Sequence, residues 1–473
     1  MTPSRLQWLA EPGSLTAKLA ALFEEAGHSL YLVGGSVRDA FLDRPYGDLD
    51  FTTDARPDEI KAIVSDWAQA VYRVGEAFGT IGIRKGPLLA EITTFRSEIY
   101  RDDSRKPQVT YSASVEEDLS RRDFTVNAIA LHLPDLEPMD PFGGLADLAA
   151  GILRTPLAPS VSFSDDPLRM LRLFRFQASL GFRVDPGTRQ AVEELGERLQ
   201  IVSAERIRDE LAKLLVSPSP GEALLGIVSS GLAQYFLPEL PELAMEQDPV
   251  HRHKNVLSHT LAVVDKTSPD LVLRLAALLH DIGKPATRAF GPTGVSFHHH
   301  EVVGQRMARE RLRALRFSNE VVEQVSRLVL LHLRPHTLKM GWTDSAVRRY
   351  VRDAGPLLEK LNELVRSDVT TASSKKADAI STRIDELETR IGELEQQEEL
   401  GKLRPPINGH QVMQFLNIPP GPKVGEIMEM LYERRIEDGP YTEEAAYEMV
   451  REWALLHPEA RSAERGAREE MDR

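Results

Sequence analysis

Two aspartates flank a leucine at Asp48-Leu49-Asp50. On an extended strand, positions i and i+2 point to the same side, so both carboxylates would face one small volume. That is costly unless a cation sits between them. Mg²⁺ is the usual hard cation beside phosphates. Shortly upstream, Gly34-Gly35-Ser36-Val37-Arg38-Asp39 follows the apolar run Leu30-Tyr31-Leu32-Val33. Glycines at a strand-to-helix turn let the backbone approach a phosphate, and the helix N-terminus offers free N–H donors. Arg38, one turn inside, can neutralise phosphate charge. A phosphate cradle beside paired carboxylates suits a two-metal site, which activates an attacking hydroxyl and stabilises a leaving pyrophosphate. Glu91, in the strand-like Ala90-Glu91-Ile92-Thr93, is a candidate third carboxylate.

From Pro167 to Phe176, apolar residues stand at 168, 170, 171, 173, 174 and 176. At about 100° per residue they point all round a helix, and such a helix is normally buried. Arg169, Arg172 and Arg175 then need partners, because unpaired buried charge is costly. A bound nucleoside triphosphate is the expected partner. Asp166 and Arg169, three residues apart, share a helix face. A carboxylate accepts hydrogen bonds and a guanidinium only donates. The acid can therefore meet the amino group of cytosine and the arginine its ring acceptors, and a small rotation would address adenine. Arg172 and Arg175 turn progressively away around the axis, so only their long stems bring them toward triphosphate or RNA.

The chain has 13 histidines, most of them between His251 and His336. His259 opens a helical stretch, His280-Asp281 closes the apolar run Leu273 to Leu279, His300 follows a Gly-rich turn, and His332 ends another apolar helix. With Asp368, these could converge from several helices on one volume, as in hydrolytic metal centres. There is no cysteine, which excludes disulfides, thiolate metal sites and cysteine nucleophiles.

The elements that position these groups are legible in outline. Residues 17–155 read as mixed α/β, with strands at Leu30 to Val33, Asp48 to Phe51, Thr80 to Ile83 and Leu88 to Thr93. Helix periodicity dominates afterwards. The spacing divides the chain into a head (17–155), a helical neck (156–250), a histidine-rich helical unit (251–377) and a helical hairpin with a C-terminal helical tail (378–457). Ile384, Leu387, Ile391 and Leu394 stand at heptad spacing over only two heptads, which favours a local hairpin over an intermolecular coiled coil. The polar segment 458–473 is expected to be disordered.

The series Gly34 to Asp39 followed by Asp48-Leu49-Asp50 resembles the signature of polymerase-β-like nucleotidyltransferases. More narrowly, it is similar to bacterial tRNA nucleotidyltransferases (CCA-adding enzymes) and their poly(A) polymerase relatives. Three segments extend the likeness over most of residues 30–215. Arg121-Arg122-Asp123-Phe124-Thr125-Val126-Asn127-Ala128 resembles the link from catalytic head to neck. Asp165-Asp166-Pro167-Leu168-Arg169-Met170-Leu171-Arg172 resembles the nucleotide-reading helix, with Asp165 where the family usually has Glu. Glu205-Arg206-Ile207-Arg208-Asp209-Glu210-Leu211 resembles the motif closing the neck.

The resemblance implies an α+β fold: a polymerase-β-like head, then an all-helical neck, body and HD domain. Asp48 and Asp50 would hold metal, joined by Glu91. Gly34, Gly35 and Arg38 would hold the triphosphate and Arg122 a phosphate, while Asp123 and Asn127 would position primer or sugar. Asp166 and Arg169 would select CTP and ATP without a nucleic-acid template, with Arg172 and Arg175 nearby. The set His259, His280-Asp281 and Asp368 resembles the HD phosphohydrolase superfamily. His300 and His332 match the extra positions of its binuclear members. Mg²⁺, Mn²⁺, Ni²⁺ and Fe are all compatible there, and 2′,3′-cyclic phosphates or phosphomonoesters are the implied substrates.

The expected function is transfer of CMP and AMP from CTP and ATP to the 3′-hydroxyl of tRNA. A poly(A) polymerase or an enzyme adding only the As is the nearest alternative. A phosphohydrolase with a regulatory N-terminal domain and a non-catalytic RNA-binding scaffold are the others. The net charge of -14 argues against non-specific wrapping of nucleic acid. Its distribution reverses that inference. Residues 378–473 carry 22 acids and 12 bases, whereas residues 304–352 carry 11 bases and 4 acids. Arg306, Arg309, Arg313 and Arg316 in that basic stretch are candidate RNA contacts. No apolar run approaches the ~20 residues of a membrane span, and a cytoplasmic monomer or homodimer is expected.

Overall fold

The computed structural model describes residues 4–73, 76, 79–99, 108–112, 114–245, 255–291, 294–337, 342–369, 374–398 and 403–457. The segment 458–473, expected to be disordered, lies outside them.

The head contributes strands β1 (Leu30–Val33), β2 (Leu49–Thr53), β3 (Ala70–Tyr72), β4 (Thr80–Lys85), β5 (Leu88–Thr94), β6 (Arg96–Ile99), β7 (Gln108–Tyr111), β8 (Ala130–Leu133) and β9 (Pro138–Met139). Seven form one mixed sheet in the order β3-β4-β5-β2-β1-β8-β9, and β6 and β7 pair separately. β2 and β5 run parallel, and the other neighbours run antiparallel.

Alternation gives the sheet two unlike faces. Leu30, Leu32, Leu49, Phe51, Ile81, Ile83, Ala90 and Ile92 are buried in one core. That core also takes Leu19 and Phe23 of helix Leu15–Glu25, Ile60 and Val64 of helix Pro57–Val64, and Leu6 and Leu9 of the N-terminal 3₁₀ turn. The residues between them on the strands point the other way, so Asp50, Glu91 and Thr93 open onto a cleft.

Beyond the head, the described residues are helical apart from loops and two short strand pairs, Ile152–Leu153 with Arg183–Val184 and Ala289–Gly291 with Gly294–Ser296. Neck and histidine-rich unit share a continuous core that runs from Phe124 to Leu403. Helix Leu168–Leu180 is buried on nearly every side, as its composition requires. The apolar stripe Ile384, Leu387, Ile391 and Leu394 is also buried in this core. It belongs to one continuous helix, Ser374–Glu398, which packs on helices Asp344–Ala354 and Leu358–Ser367. The expected hairpin is therefore replaced by a single arm docked on the body, which covers the stripe without a second arm. A separate small core joins Ile407, Val412, Ile427, Leu431, Ala446 and Val450.

Candidate active sites

The first site lies on the three central strands of the sheet, β5, β2 and β1, beside residues of the neck. The parallel register sets Asp50 abreast of Glu91, so their side chains share a face. The antiparallel register sets Val33 abreast of Asp50, which brings the following Gly34 turn beside the carboxylates. Gly34 has φ 80, a conformation glycine adopts freely. A Cβ there would lie 3.2 Å from Arg122 Nη1 and 3.6 Å from Asp50 Oδ2. Burial pushes the Asp50 carboxyl up; Arg122 opposes this, and the charges of Glu91 and Asp48 add to it. A carboxylate crowded by two others is the electrostatic setting that a divalent cation relieves. Asp48 sits in an exposed bend just before β2, not on the strand itself. The strict i, i+2 alternation expected for Asp48 and Asp50 thus does not apply, because β2 begins at Leu49.

Arg38 and Asn127 tie the glycine turn to the head–neck joint. Arg38 donates to both oxygens of Asp39 at 2.8 Å each and to Asn127 Oδ1 at 2.7 Å. Asn127 Nδ2 donates to Asp123 Oδ1 at 2.9 Å, and Arg172 donates to Asp123 Oδ2 at 2.8 Å through Nε. Burial alone would raise the Asp123 carboxyl. Arg172 overrides it, helped by Asn127, Arg169 and Arg175, and holds it at about 2. Buried Asp118 pairs with both Arg121 and Arg122. The guanidinium groups of Arg38, Arg172 and Arg175 surround the Phe176 ring, at 5.1, 5.9 and 4.0 Å from its centroid.

Asp166 and Arg169 both line the same cleft, of about 780 Å³, as Asp50, Glu91, Gly34, Gly35, Arg38 and Arg122. The local geometry differs from the sequence expectation. Pro167 precedes the helix, which starts at Leu168, and Asp166 is extended ahead of it. Asp166 Oδ1 accepts from the Leu168 N–H at 3.2 Å, and Oδ2 accepts from Arg206 at 3.0 Å. Arg169 is buried and bonds Ser162 and the Arg121 carbonyl. The arginine partners expected from a triphosphate are supplied by the protein instead: Ser162 and Arg121 for Arg169, Asp123 for Arg172, and Glu210 at 2.6 Å for Arg175. These contacts preset the cleft before any ligand enters it.

The second site gathers histidines and carboxylates at helix ends. His280 caps helix Leu271–Leu279, His332 caps Asn319–Leu331, Asp368 caps Leu358–Ser367, and His300 opens His300–Ala314. His259 comes from helix Val256–Lys266. Donor atoms fall into two groups, His259/His280/Asp368 and Asp281/His300/His332, each within 4.8 Å. Nδ1 of His280, His300 and His332 faces a carbonyl three residues back, at 2.8, 2.8 and 2.6 Å. This aims each Nε2 inward, the usual second support for a metal-binding imidazole.

Nε2 of His300 and of His332 is buried without a hydrogen-bond partner, which is costly unless a ligand completes it. Burial and then the neighbouring His280 push His332 down to about 3, so it is a neutral donor. Burial opposes charge on His280, but Asp281 and Asp368 override it and hold it at about 10. A cation would replace that proton. Gly283 permits the close approach of this loop to the next helix: a Cβ would lie 2.3 Å from the His300 carbonyl. The donors fit a pair of divalent ions.

Comparisons with known proteins now bear on this geometry. Family models match a poly A polymerase head domain over residues 30–154, a probable RNA and SrmB- binding site of polymerase A over 181–243, and an HD domain over 255–379. A CCA-adding enzyme of Anoxybacillus flavithermus is 32% identical over 91% of this chain and 94% of its own length. The chain belongs to the CCA-adding enzyme family of tRNA nucleotidyltransferases. An A-adding tRNA nucleotidyltransferase of Deinococcus radiodurans is also 32% identical, over 90% of this chain and 96% of its length. A Bacillus stearothermophilus CCA-adding enzyme solved in complex with CTP superposes with a TM-score of 0.68 at 26% identity, covering 94% of this chain and 98% of that one. The polymerase-β-like head and helical body follow that architecture, and this family member is an enzyme.

Within the tRNA nucleotidyltransferase frame, the structure also places residues that sequence reasoning passed over. Arg206 and Glu210, read as closing the neck, hold Asp166 and Arg175. Lys284 pairs with Asp281 at 2.6 Å. The partners of Arg206 and Glu210 lie far along the chain and carried no local signal, whereas Lys284 stands only three residues after Asp281, a spacing open to view in the sequence. Of the four candidate RNA arginines, Arg306, Arg313 and Arg316 are exposed. Arg309 instead donates to Glu323 at 2.7 Å, joining two helices. Among the described residues, no helix is long and apolar enough to cross a membrane.

Proposed function

We propose that the chain is a template-independent nucleotidyltransferase that adds CMP and AMP from CTP and ATP to the 3′ end of tRNA. One observation carries this reading. Asp50 and Glu91 stand abreast in a cleft that Asp166 and Arg169 also line. One volume thus offers a carboxylate site for the triphosphate end and an acceptor–donor pair for the base.

In this account Asp48, Asp50 and Glu91 hold Mg²⁺, which when bound neutralises the triphosphate and polarises the primer hydroxyl. Backbone N–H groups at Gly34 and Gly35 and the Arg38 guanidinium cradle phosphate oxygens. Arg122 faces Asp50 from beside Gly34 and draws a third phosphate charge inward. Asp123 and Asn127 fix Arg38 and Arg172 and stand where the primer or sugar enters. Asp166 accepts from the base amino group, and Arg169 donates to its ring acceptors. The exposed Arg306, Arg313 and Arg316 supply a phosphate-binding face for the tRNA body. Asp50→Ala tests the assignment: incorporation disappears while tRNA binding is kept, and normal incorporation by that variant contradicts it.

The histidine cluster supports a second activity on the same chain. Six donors, three of them imidazoles with outer carbonyl supports, suit metal-assisted hydrolysis of a phosphate ester or 2′,3′-cyclic phosphate. The metal is Mg²⁺, Mn²⁺, Ni²⁺ or Fe. Phosphate release with each ion, in wild type and in Asp281→Ala, tests this reading.

A further inference from the structure

The base-reading helix Leu168–Leu180 belongs to the neck core, whereas the strands that carry Asp50 and Glu91 pack into the head core through Leu49, Phe51, Ala90 and Ile92. The helix ends at Gly181 in the left-handed conformation, whose N–H bonds Gln177. The last carbonyls of a helix lack helical partners and carry partial negative charge. Arg44 of the head meets two of them, donating to the Ser179 carbonyl at 3.1 Å and the Leu180 carbonyl at 3.5 Å.

Arg44 lies in the loop that leads directly to Asp48, and this loop is braced from behind. The Arg44 N–H bonds the Asp39 carbonyl at 2.8 Å. Asp43 pairs with Arg5 of the N-terminal 3₁₀ turn. The Tyr46 hydroxyl donates to the Arg5 carbonyl and accepts from Trp8 Nε1, each at 2.8 Å. Leu6 and Leu9 of that turn are buried in the head core. A stiff, core-anchored loop thus carries a cation to the far end of the reading helix and then continues into the metal-binding segment.

We propose that Arg44 is a specificity-setting positioning residue: it fixes the tilt of the reading helix relative to the carboxylates, and so determines which base fits at Asp166 and Arg169. The helix is about 20 Å long at 1.5 Å per residue. A tilt of about 3° at one end therefore moves the other by about 1 Å, a displacement that can cost about 10²-fold in rate. Arg44 touches no substrate itself. Its forked guanidinium reaches both carbonyls, whereas a lysine point charge reaches one at a time.

This inference rests on the nucleotidyltransferase reading, and the experiment separates the two. Wild type, Arg44→Lys and Arg44→Gln are assayed on tRNA lacking its terminal CCA, with CTP, ATP, UTP and GTP each measured as kcat/KM. Failure of the wild type to incorporate C or A counts against the nucleotidyltransferase reading itself. Given an active wild type, Arg44→Gln lowers the ratio of correct to incorrect nucleotides by about tenfold or more, and Arg44→Lys recovers most of that loss while remaining below wild type. A merely structural role would lower the folded fraction and all four values together, leaving KM and the ratios unchanged. Ratios within about twofold of wild type in Arg44→Gln overturn the proposal, whatever happens to kcat. If Arg44→Gln does not fold, Arg44→Lys decides: a selectivity loss of about threefold supports the proposal, and unchanged selectivity overturns it.

Discussion

Arg206 donates to Asp166 Oδ2 at 3.0 Å across the neck, from a different helix and forty residues along the chain. The other Asp166 oxygen accepts from the Leu168 N–H at the start of helix Leu168–Leu180. Both oxygens are therefore oriented before a nucleotide arrives. Arg206→Gln removes the charge and frees the side chain. The expected result is a KM for CTP and ATP raised about tenfold. The pair is partly exposed, so the stability cost stays within about 1 kcal/mol. Steady-state kinetics beside urea unfolding checks both halves, and an unchanged KM removes Arg206 from the account.

Asp166→Asn is a sharper test of base reading. An amide keeps one acceptor but adds donors where the base presents its amino group. Selectivity for C and A over U and G then falls while binding of the triphosphate portion persists. Single-nucleotide competition assays read this directly, and retained selectivity would place base choice elsewhere.

Asp123 predicts a pH-dependent contribution to stability. Its carboxyl is held at about 2 in the folded state against an ordinary value of 3.8. A depressed folded pKa stabilises above the unfolded value and is lost as pH falls through the folded one. The contribution, about 2 kcal/mol, is therefore complete above pH ~5 and gone by pH ~1. Comparing wild type with Asp123→Asn by urea unfolding at pH 7 and pH 3 isolates it. A difference between the two proteins that does not shrink toward low pH contradicts the pairing with Arg172.

At the histidine site, loading with Mn²⁺ or Ni²⁺ raises Tm, because an ion that binds only the folded state stabilises it by mass action. His280→Ala and Asp368→Ala remove one ligand group, and the metal-dependent rise in Tm falls in both. Metal analysis after gel filtration counts the bound ions. Equal Tm with and without metal in the wild type would make the cluster a packed core.

The sequence made the head site legible because its signals are local: a strand, a glycine turn, and acids near one another in the chain. The roles proposed for Asp166 and Arg169 rest on the family likeness. What stayed hidden were partners fixed only by tertiary packing. Nothing in the spacing of Arg172 points to Asp123, or of Arg175 to Glu210, and the buried-charge argument was satisfied by a ligand that the folded protein does not need for this purpose. Asp48 fell outside its expected strand because the chain enters β2 from a bend at Gly47-Asp48. The stripe from Ile384 to Leu394 announced a buried helix face, but periodicity cannot name the surface that covers it.

The most direct measurement uses tRNA lacking its terminal CCA, incubated with each labelled nucleotide singly and in pairs and read at single-nucleotide resolution. The account predicts that CTP alone extends the RNA by C and stops, that CTP with ATP completes the terminal A, and that UTP and GTP add nothing. Asp50→Ala adds nothing with any of them. Extension by ATP without use of CTP would contradict CCA addition, and incorporation that survives Asp50→Ala would contradict the site itself.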